Sequence, residues 1–233
     1  MSGRAPRVDL GGLIVSCQAY PGEPLNDAGV LGRIATAVVE GGASAVRLQG
    51  VETIRRVVRG GIAVPVIGLW KDGHEGVYIT PTLDHAIAVA DAGAAVVALD
   101  GTRRPRPDGL TLAETVTALR RERPAVSIMA DCGSMADAAA AEAAMVDVIG
   151  TTLAGYTGER ANDGGPDLAL VEEIVSACRT PVIAEGRYAD PADVARAFRA
   201  GALAVCVGGA ITHPTSITRR FIRESGLSGS PST

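Results

Sequence analysis

The stretch that decides the fold is LDHAIAVADAGAAVVALD, Leu83 to Asp100. It opens as an Ala-rich amphipathic run behind Thr82 and Asp84, which fits a capped helix over Leu83–Ala92. It breaks at Gly93, where a glycine can close a helix in a left-handed conformation and turn the chain. It then becomes a short apolar run, Val96–Leu99, that reads as a buried strand and stops at a carboxylate, Asp100. The same helix exit recurs as Glu40-Gly41-Gly42-Ala43 and Arg199-Ala200-Gly201-Ala202.

Working outward, the pattern repeats along the chain. Strands are predicted at Leu13–Cys17, Ala45–Leu48, Val66–Trp70, Val96–Leu99, Ser127–Ala130, Val148–Gly150, Val182–Ala184 and Leu203–Val207. Helices are predicted between and after them, at Asp27–Glu40, Val51–Arg59, Leu83–Ala92, Leu112–Arg121, Ser134–Ala144, Asp167–Cys178, Pro191–Ala200 and Pro214–Arg223. Asp190-Pro191 is a favoured start, with proline at the first helical position. Eight strand–helix units at roughly 28 residues each make a single (β/α)8 barrel, a TIM-barrel α/β fold. An open doubly wound sheet is the rival, but the GxGxxG turn it usually carries is missing after Cys17. The barrel domain is expected over residues 1–226, with a Ser-, Gly- and Pro-containing tail over 227–233 that reads as disordered.

Composition agrees with this architecture and narrows the partners. Hydrophobic residues make up 47% of the 233-residue chain and aromatics only 3%, which suits close packing of a parallel sheet buried on both faces. The net charge is -4, without a long charged block, so neither nucleic acid nor an anionic membrane is expected as a partner. The cysteines Cys17, Cys132, Cys178 and Cys206 are scattered, which suits a reduced protein rather than a disulfide frame or zinc site. No apolar stretch is long enough to span a bilayer and no leader is evident, so the cytoplasm is the expected compartment.

Function in a (β/α)8 barrel sits where the strands end. The residues at or just past the strand ends are Gln18, Arg47, Lys71, Asp100, Asp131, Thr151-Thr152, Glu185 and Gly208-Gly209. The opposite ends carry Ala, Gly and Pro. The loops Glu185-Gly186-Arg187 and Gly208-Gly209-Ala210 fit a phosphate, because glycines let backbone N–H groups approach an anion. Lys71 and Glu185 come from strands three and seven, on opposite sides of an eight-stranded ring. Two such groups across a bound sugar could take a proton from one face of a carbon and return it to the other, as an epimerisation demands. A depressed lysine pKa, from burial or from Arg47, would let Lys71 act as a base. A simple Lys71–Glu185 ion pair is the alternative. The histidines His74, His85 and His213 form no metal-ligand pattern, so no metal or other cofactor is expected.

Several strings resemble the N-acetylmannosamine-6-phosphate 2-epimerase family. They are Leu13-Ile14-Val15-Ser16-Cys17-Gln18-Ala19, Tyr78-Ile79-Thr80-Pro81-Thr82, Ala98-Leu99-Asp100-Gly101-Thr102 and Arg103-Arg104-Pro105-Arg106-Pro107. Met129-Ala130-Asp131, Gly150-Thr151-Thr152-Leu153-Ala154-Gly155-Tyr156-Thr157 and Pro181-Val182-Ile183-Ala184-Glu185-Gly186-Arg187 extend the resemblance in order. It runs from about Gly12 to Phe221. It implies a cytoplasmic, metal-free isomerase that interconverts the 6-phosphates of N-acetylmannosamine and N-acetylglucosamine in amino-sugar and sialic-acid catabolism. It implies Lys71 and Glu185 as the acid/base pair at C2. Gln18, Arg47 and Asp131, with Thr152, would bind the sugar and its acetamido group. Gly186, Arg187, Gly208, Gly209 and the residue at His213 would take the phosphate. It also implies a homo-oligomer, a dimer or larger.

Three positions depart from the family pattern. His213 stands where arginine is common, Trp70 precedes the lysine, and Cys132-Gly133 follows Asp131. Two other readings remain open on the sequence. One is a Schiff-base lyase of a phosphorylated keto substrate using Lys71, the other a non-catalytic phosphosugar-binding barrel.

Overall fold

The computed structural model describes residues 8–227. Eight strands alternate with helices: β1 (Gly12–Cys17), α1 (Ala28–Glu40), β2 (Ala45–Gln49), α2 (Val51–Arg59), β3 (Val66–Leu69), α3 (Leu83–Asp91), β4 (Val96–Asp100) and α4 (Leu112–Glu122). They continue as β5 (Ser127–Asp131), α5 (Met135–Ala143), β6 (Val148–Gly150), α6 (Leu168–Ala177), β7 (Val182–Glu185), α7 (Pro191–Arg199) and β8 (Ala204–Val207). A short helix α8 (Gly209–Thr212) precedes α9 (Pro214–Glu224). All eight strands are parallel and in sequence order, and β8 pairs with β1 to close the ring. The expected TIM barrel is therefore the fold. Apart from Leu227, the tail expected over 227–233 lies outside the described residues.

Local chemistry explains the boundaries. Thr82 caps α3, Thr111 and Glu114 form a capping box on α4, and Asp190 with Pro191 starts α7. At the repeated exit the left-handed residues are Gly42, Gly93 and Gly201, at φ of 99°, 100° and 95°. Strands β2, β4, β5 and β7 each run one residue further than the apolar pattern suggests, so that Gln49, Asp100, Asp131 and Glu185 lie within the ladder. Backbone pairing, not side-chain polarity, sets where a strand stops.

Strand β3 ends earlier, at Leu69. The Trp70 N–H turns aside to Thr80 Oγ1 at 3.1 Å, and the Thr80 N–H returns to the Trp70 carbonyl at 2.7 Å. Lys71 then forms an isolated antiparallel bridge with Ile79.

Alternation along the strands builds two cores. Ile14, Ala45, Ile67, Val96, Met129, Val148, Ile183 and Ala204 pack together inside the ring. Their neighbours Val15, Val46, Val66, Val97, Ile128, Val182 and Val205 pack outward against Ile54, Val89, Leu119 and Ile174 of the helices. Full burial of each large aliphatic side chain contributes about 1.5–3 kcal/mol. Gly68 is required by this closeness, since a Cβ there would lie 2.7–2.9 Å from Ala94, Val89 and Ile54.

Candidate active site

Two residues further along each strand, the inward positions change character. Ala45 is followed by Arg47, Met129 by Asp131, Ile183 by Glu185 and Ala204 by Cys206. Arg47 is 1% exposed and sits at the centre of this upper layer. Its guanidinium grips Asp131 with two parallel bonds, Nη1–Oδ1 at 3.0 Å and Nη2–Oδ2 at 2.7 Å. The same Nη1 donates to Glu185 Oε2 at 2.8 Å. This forked geometry is what a guanidinium offers and an ammonium cannot. Thr152 Oγ1 donates to Asp131 Oδ1 at 2.6 Å and lies 3.2 Å from Glu185 Oε2. Gly150 keeps the space open, because a Cβ there would meet Met129 and crowd Asp131 and Thr152.

The electrostatics follow from burial. Burial opposes the charge on Arg47, but Asp131 and Glu185 outweigh it and hold the guanidinium charged. Glu185 is pushed above the ordinary carboxylate range by burial and by Asp131, with Arg47 opposing. Lys71 is pushed down, first by burial and then by Arg47, with Glu185 and Asp131 opposing. The two groups' proton affinities therefore approach each other, one from each side. An acid and a base that must exchange roles near neutral pH need that convergence.

Lys71 and Glu185 share one cavity of about 720 Å³ at the strand ends, and Arg47, Gln18 and Thr152 line it too. Gln18 Nε2 donates to Ser16 Oγ at 2.7 Å. Asp131 is fully buried and is not among the lining residues, so it reaches the cavity through Arg47 and Thr152. Gly186, Arg187, Gly208, Gly209 and His213 line the side formed by β7, β8 and α9. Gly186 and Arg187 both take positive φ, 113° and 59°. Arg187 spends its guanidinium on two carbonyls, Nη1 to Ala154 and Nε to Gly165, both at 2.6 Å. It thereby ties the loop after β6 to the loop after β7. His213 caps α9, with Nδ1 accepting the Ser216 N–H at 3.2 Å, while Nε2 lies 2.9 Å from Glu23 Oε1.

Sequence reasoning missed several lining residues. Arg219 and Arg220 reach the cavity from α9. So do Tyr20, Tyr78, Tyr156 and Tyr188, all four tyrosines of the chain. Scarcity is the signal that could have found them. With aromatics at 3%, those that remain concentrate where a ligand would lie. The same signal marks Lys71, the only lysine among 22 basic residues. A chain that uses arginine everywhere else keeps a lysine where a cation that can lose its proton has a use.

Comparison with known proteins finds relatives over most of the chain. Residues 31–226 match the profile of the family described as "Putative N-acetylmannosamine-6-phosphate epimerase". A relative from Cutibacterium acnes named "Putative N-acetylmannosamine-6-phosphate 2-epimerase" is 55% identical over 226 residues, covering 95% of this chain and 98% of its own. A relative of the same name from Caldanaerobacter subterraneus is 42% identical, covering 91% of this chain and 90% of its own. The solved structure of the N-acetylmannosamine-6-phosphate 2-epimerase from Clostridium perfringens superposes with a TM-score of 0.88 at 36% identity, covering 93% of this chain and 94% of that one. A thiamine phosphate pyrophosphorylase from Pyrococcus furiosus, at 18% identity and a TM-score of 0.56, shares the fold.

Proposed function

The chain belongs to the N-acetylmannosamine-6-phosphate 2-epimerase family, and from that premise we propose that it interconverts N-acetylmannosamine 6-phosphate and N-acetylglucosamine 6-phosphate by proton transfer at C2. Opening the sugar ring makes C1 an aldehyde, so the C2 proton becomes acidic and its loss gives an enolate. Lys71 and Glu185 are the acid/base pair. The observation that carries this reading is their placement on the β3 and β7 sides of one cavity, with Arg47 bonded to Glu185 and lining the same cavity. Arg47 offers positive charge where the enolate oxygen develops negative charge, and burial strengthens that attraction. Gln18 and Thr152 bind the sugar, while Asp131 holds Arg47 and Thr152 in register for it.

The phosphate goes to the side of the cavity formed by β7, β8 and α9, with the backbone at Gly186, Gly208 and Gly209 supporting it and Arg187 and His213 at its edge. Arg220, whose Nη1 donates to the Ala189 carbonyl at 3.2 Å, adds positive charge to the same wall. The family match favours this isomerase over the Schiff-base lyase and the non-catalytic barrel. A homo-oligomer and a cytoplasmic location are further proposals. Phe221, 63% exposed on α9, supports the first, and light scattering tests it. Among the described residues, no helix is long and apolar enough to cross a membrane.

The test is NMR of N-acetylmannosamine 6-phosphate in D2O with the purified protein. Deuterium should enter C2 as the second epimer appears, and a chelator should leave the rate unchanged. Absence of C2 exchange beside an active control enzyme would overturn the assignment.

A further inference from the structure

One group touching Lys71 is outside the acid/base scheme. The ring of Tyr20, in the loop between β1 and α1, lies with its centroid 5.0 Å from Lys71 Nζ. Tyr20 is 58% exposed, so packing alone does little to hold its ring. The loop that carries it is held by backbone hydrogen bonds instead. The Tyr20 N–H donates to Glu23 Oε2 at 2.8 Å, and the Glu23 N–H returns to the Tyr20 carbonyl at 3.0 Å. The other Glu23 oxygen faces His213 Nε2 at 2.9 Å. Because His213 Nδ1 accepts the Ser216 N–H, the ring proton is on Nε2 and donates to Glu23. The N-terminus of α9 thus clasps the β1–α1 loop at the rim of the cavity. The bonds from Tyr20 and His213, with Arg219 nearby, hold the Glu23 carboxyl below its ordinary range.

We propose that Tyr20 sets how readily Lys71 gives up its proton, and that Glu23 and His213 are positioning residues that hold Tyr20 over it. The face of an aromatic ring attracts an ammonium and not an amine, so the ring favours the protonated lysine. The charged groups around Lys71 are Arg47 from β2, Asp131 from β5 and Glu185 from β7. The ring therefore works with the two carboxylates and against burial and Arg47. The catalytic consequence rests on the epimerase reading; the effect on Lys71 does not.

Because Lys71 is the only lysine, protein grown on lysine labelled with 13C at Cε shows one side-chain signal whose position reports its protonation. Tyr20→Leu keeps apolar bulk but removes the ring face, and should lower the midpoint by a few tenths to about one pH unit. Tyr20→Phe should stay within about 0.2 of the wild type, since it keeps the ring. Glu23→Ala should move the midpoint in the same direction as Tyr20→Leu. So should His213→Asn, which keeps a capping side chain. Neither should add to the change in a Tyr20→Leu background. An unchanged midpoint in Tyr20→Leu, or an undiminished Glu23→Ala effect in that background, would overturn the proposal. In the exchange assay, the acidic limb of kcat/KM should follow the NMR midpoint. A wild type that fails to exchange C2 sinks the epimerase reading and leaves the titration result standing.

Discussion

The two ends of the barrel interior are built from the same strands and the same alternation, yet burial does opposite things in them. At the lower end, Ile14, Ala45, Ile67, Val148 and Ile183 exclude water from one another and stabilise the fold. One step of alternation higher, Arg47, Asp131 and Glu185 are buried almost as completely, and there burial changes proton affinities. A buried carboxylate pair around one arginine is weak evidence for stability, because desolvation offsets much of the attraction. The lower layer holds the ring closed, and the upper layer carries reactivity that the fold tolerates.

The largest expected effect separates the two ends directly. Lys71→Met should slow C2 exchange by about 10²- to 10⁴-fold, the typical range for a proton-transfer group. It should leave the stability measured in urea unchanged or slightly raised, since a partly buried charge is removed. A variant that unfolds would break the division.

Next comes the arginine on which the upper layer depends. Arg47→Met removes the guanidinium that bonds both Asp131 and Glu185 and leaves the two carboxyl groups buried without it, and should cost about 3–5 kcal/mol in urea unfolding. Replacing both partners, as Arg47→Met with Asp131→Asn, should recover more than half of that loss without restoring exchange. No recovery in the double variant would mean that the arginine's packing, rather than its pairing, dominates.

At the lower end the pattern inverts. Ile67 faces inward on β3, the strand that leads to Lys71, and is fully buried. Ile67→Ala should cost about 2–4 kcal/mol of stability through lost contacts and a cavity. Its kcat, measured well below its melting temperature, should stay within about twofold of the wild type, because the deletion touches no reacting group. A tenfold fall in kcat would show that the lower layer positions the mouth as well.

The fold was legible because its signals are local. Alternating apolar runs, a glycine exit repeated three times and caps such as Thr82 each act within a few residues. The site was legible only in part. Lys71, Glu185, Arg47, Gln18 and Thr152 could be found as strand-end residues, since barrel topology brings strand ends together whatever the loops do. The fold-back at Trp70–Thr80 that carries Lys71 depends on a hydroxyl ten residues away, and no local pattern announces it. Arg219 and Arg220 belong to the last helix, whose approach to the mouth is set by the turn through α8. The bond between His213 and Glu23 joins residues 190 apart in sequence, beyond the reach of any spacing argument.

The smallest effect is a pH dependence that only the upper layer should show. Glu185 keeps its proton to higher pH in the folded chain than the ordinary glutamate value of 4.5. Above pH 4.5 the native state therefore binds more protons than the unfolded chain, and stability must fall as pH rises through the folded value. Lys71 loses its proton below its ordinary 10.5, so its burial penalty is full only below the folded value and fades as pH rises from there towards 10.5. Urea unfolding across pH should show Glu185→Gln gaining on the wild type from about pH 4.5 upward. The gain should reach about 1.4 kcal/mol for every pH unit by which the folded glutamate titrates later than the unfolded one. Lys71→Met should hold an advantage at neutral pH that shrinks in alkali. Ile67→Ala should lose the same amount at every pH, because no proton is involved. A pH-independent gap for Glu185→Gln would remove the electrostatic distinction between the two layers and leave only their difference in polarity.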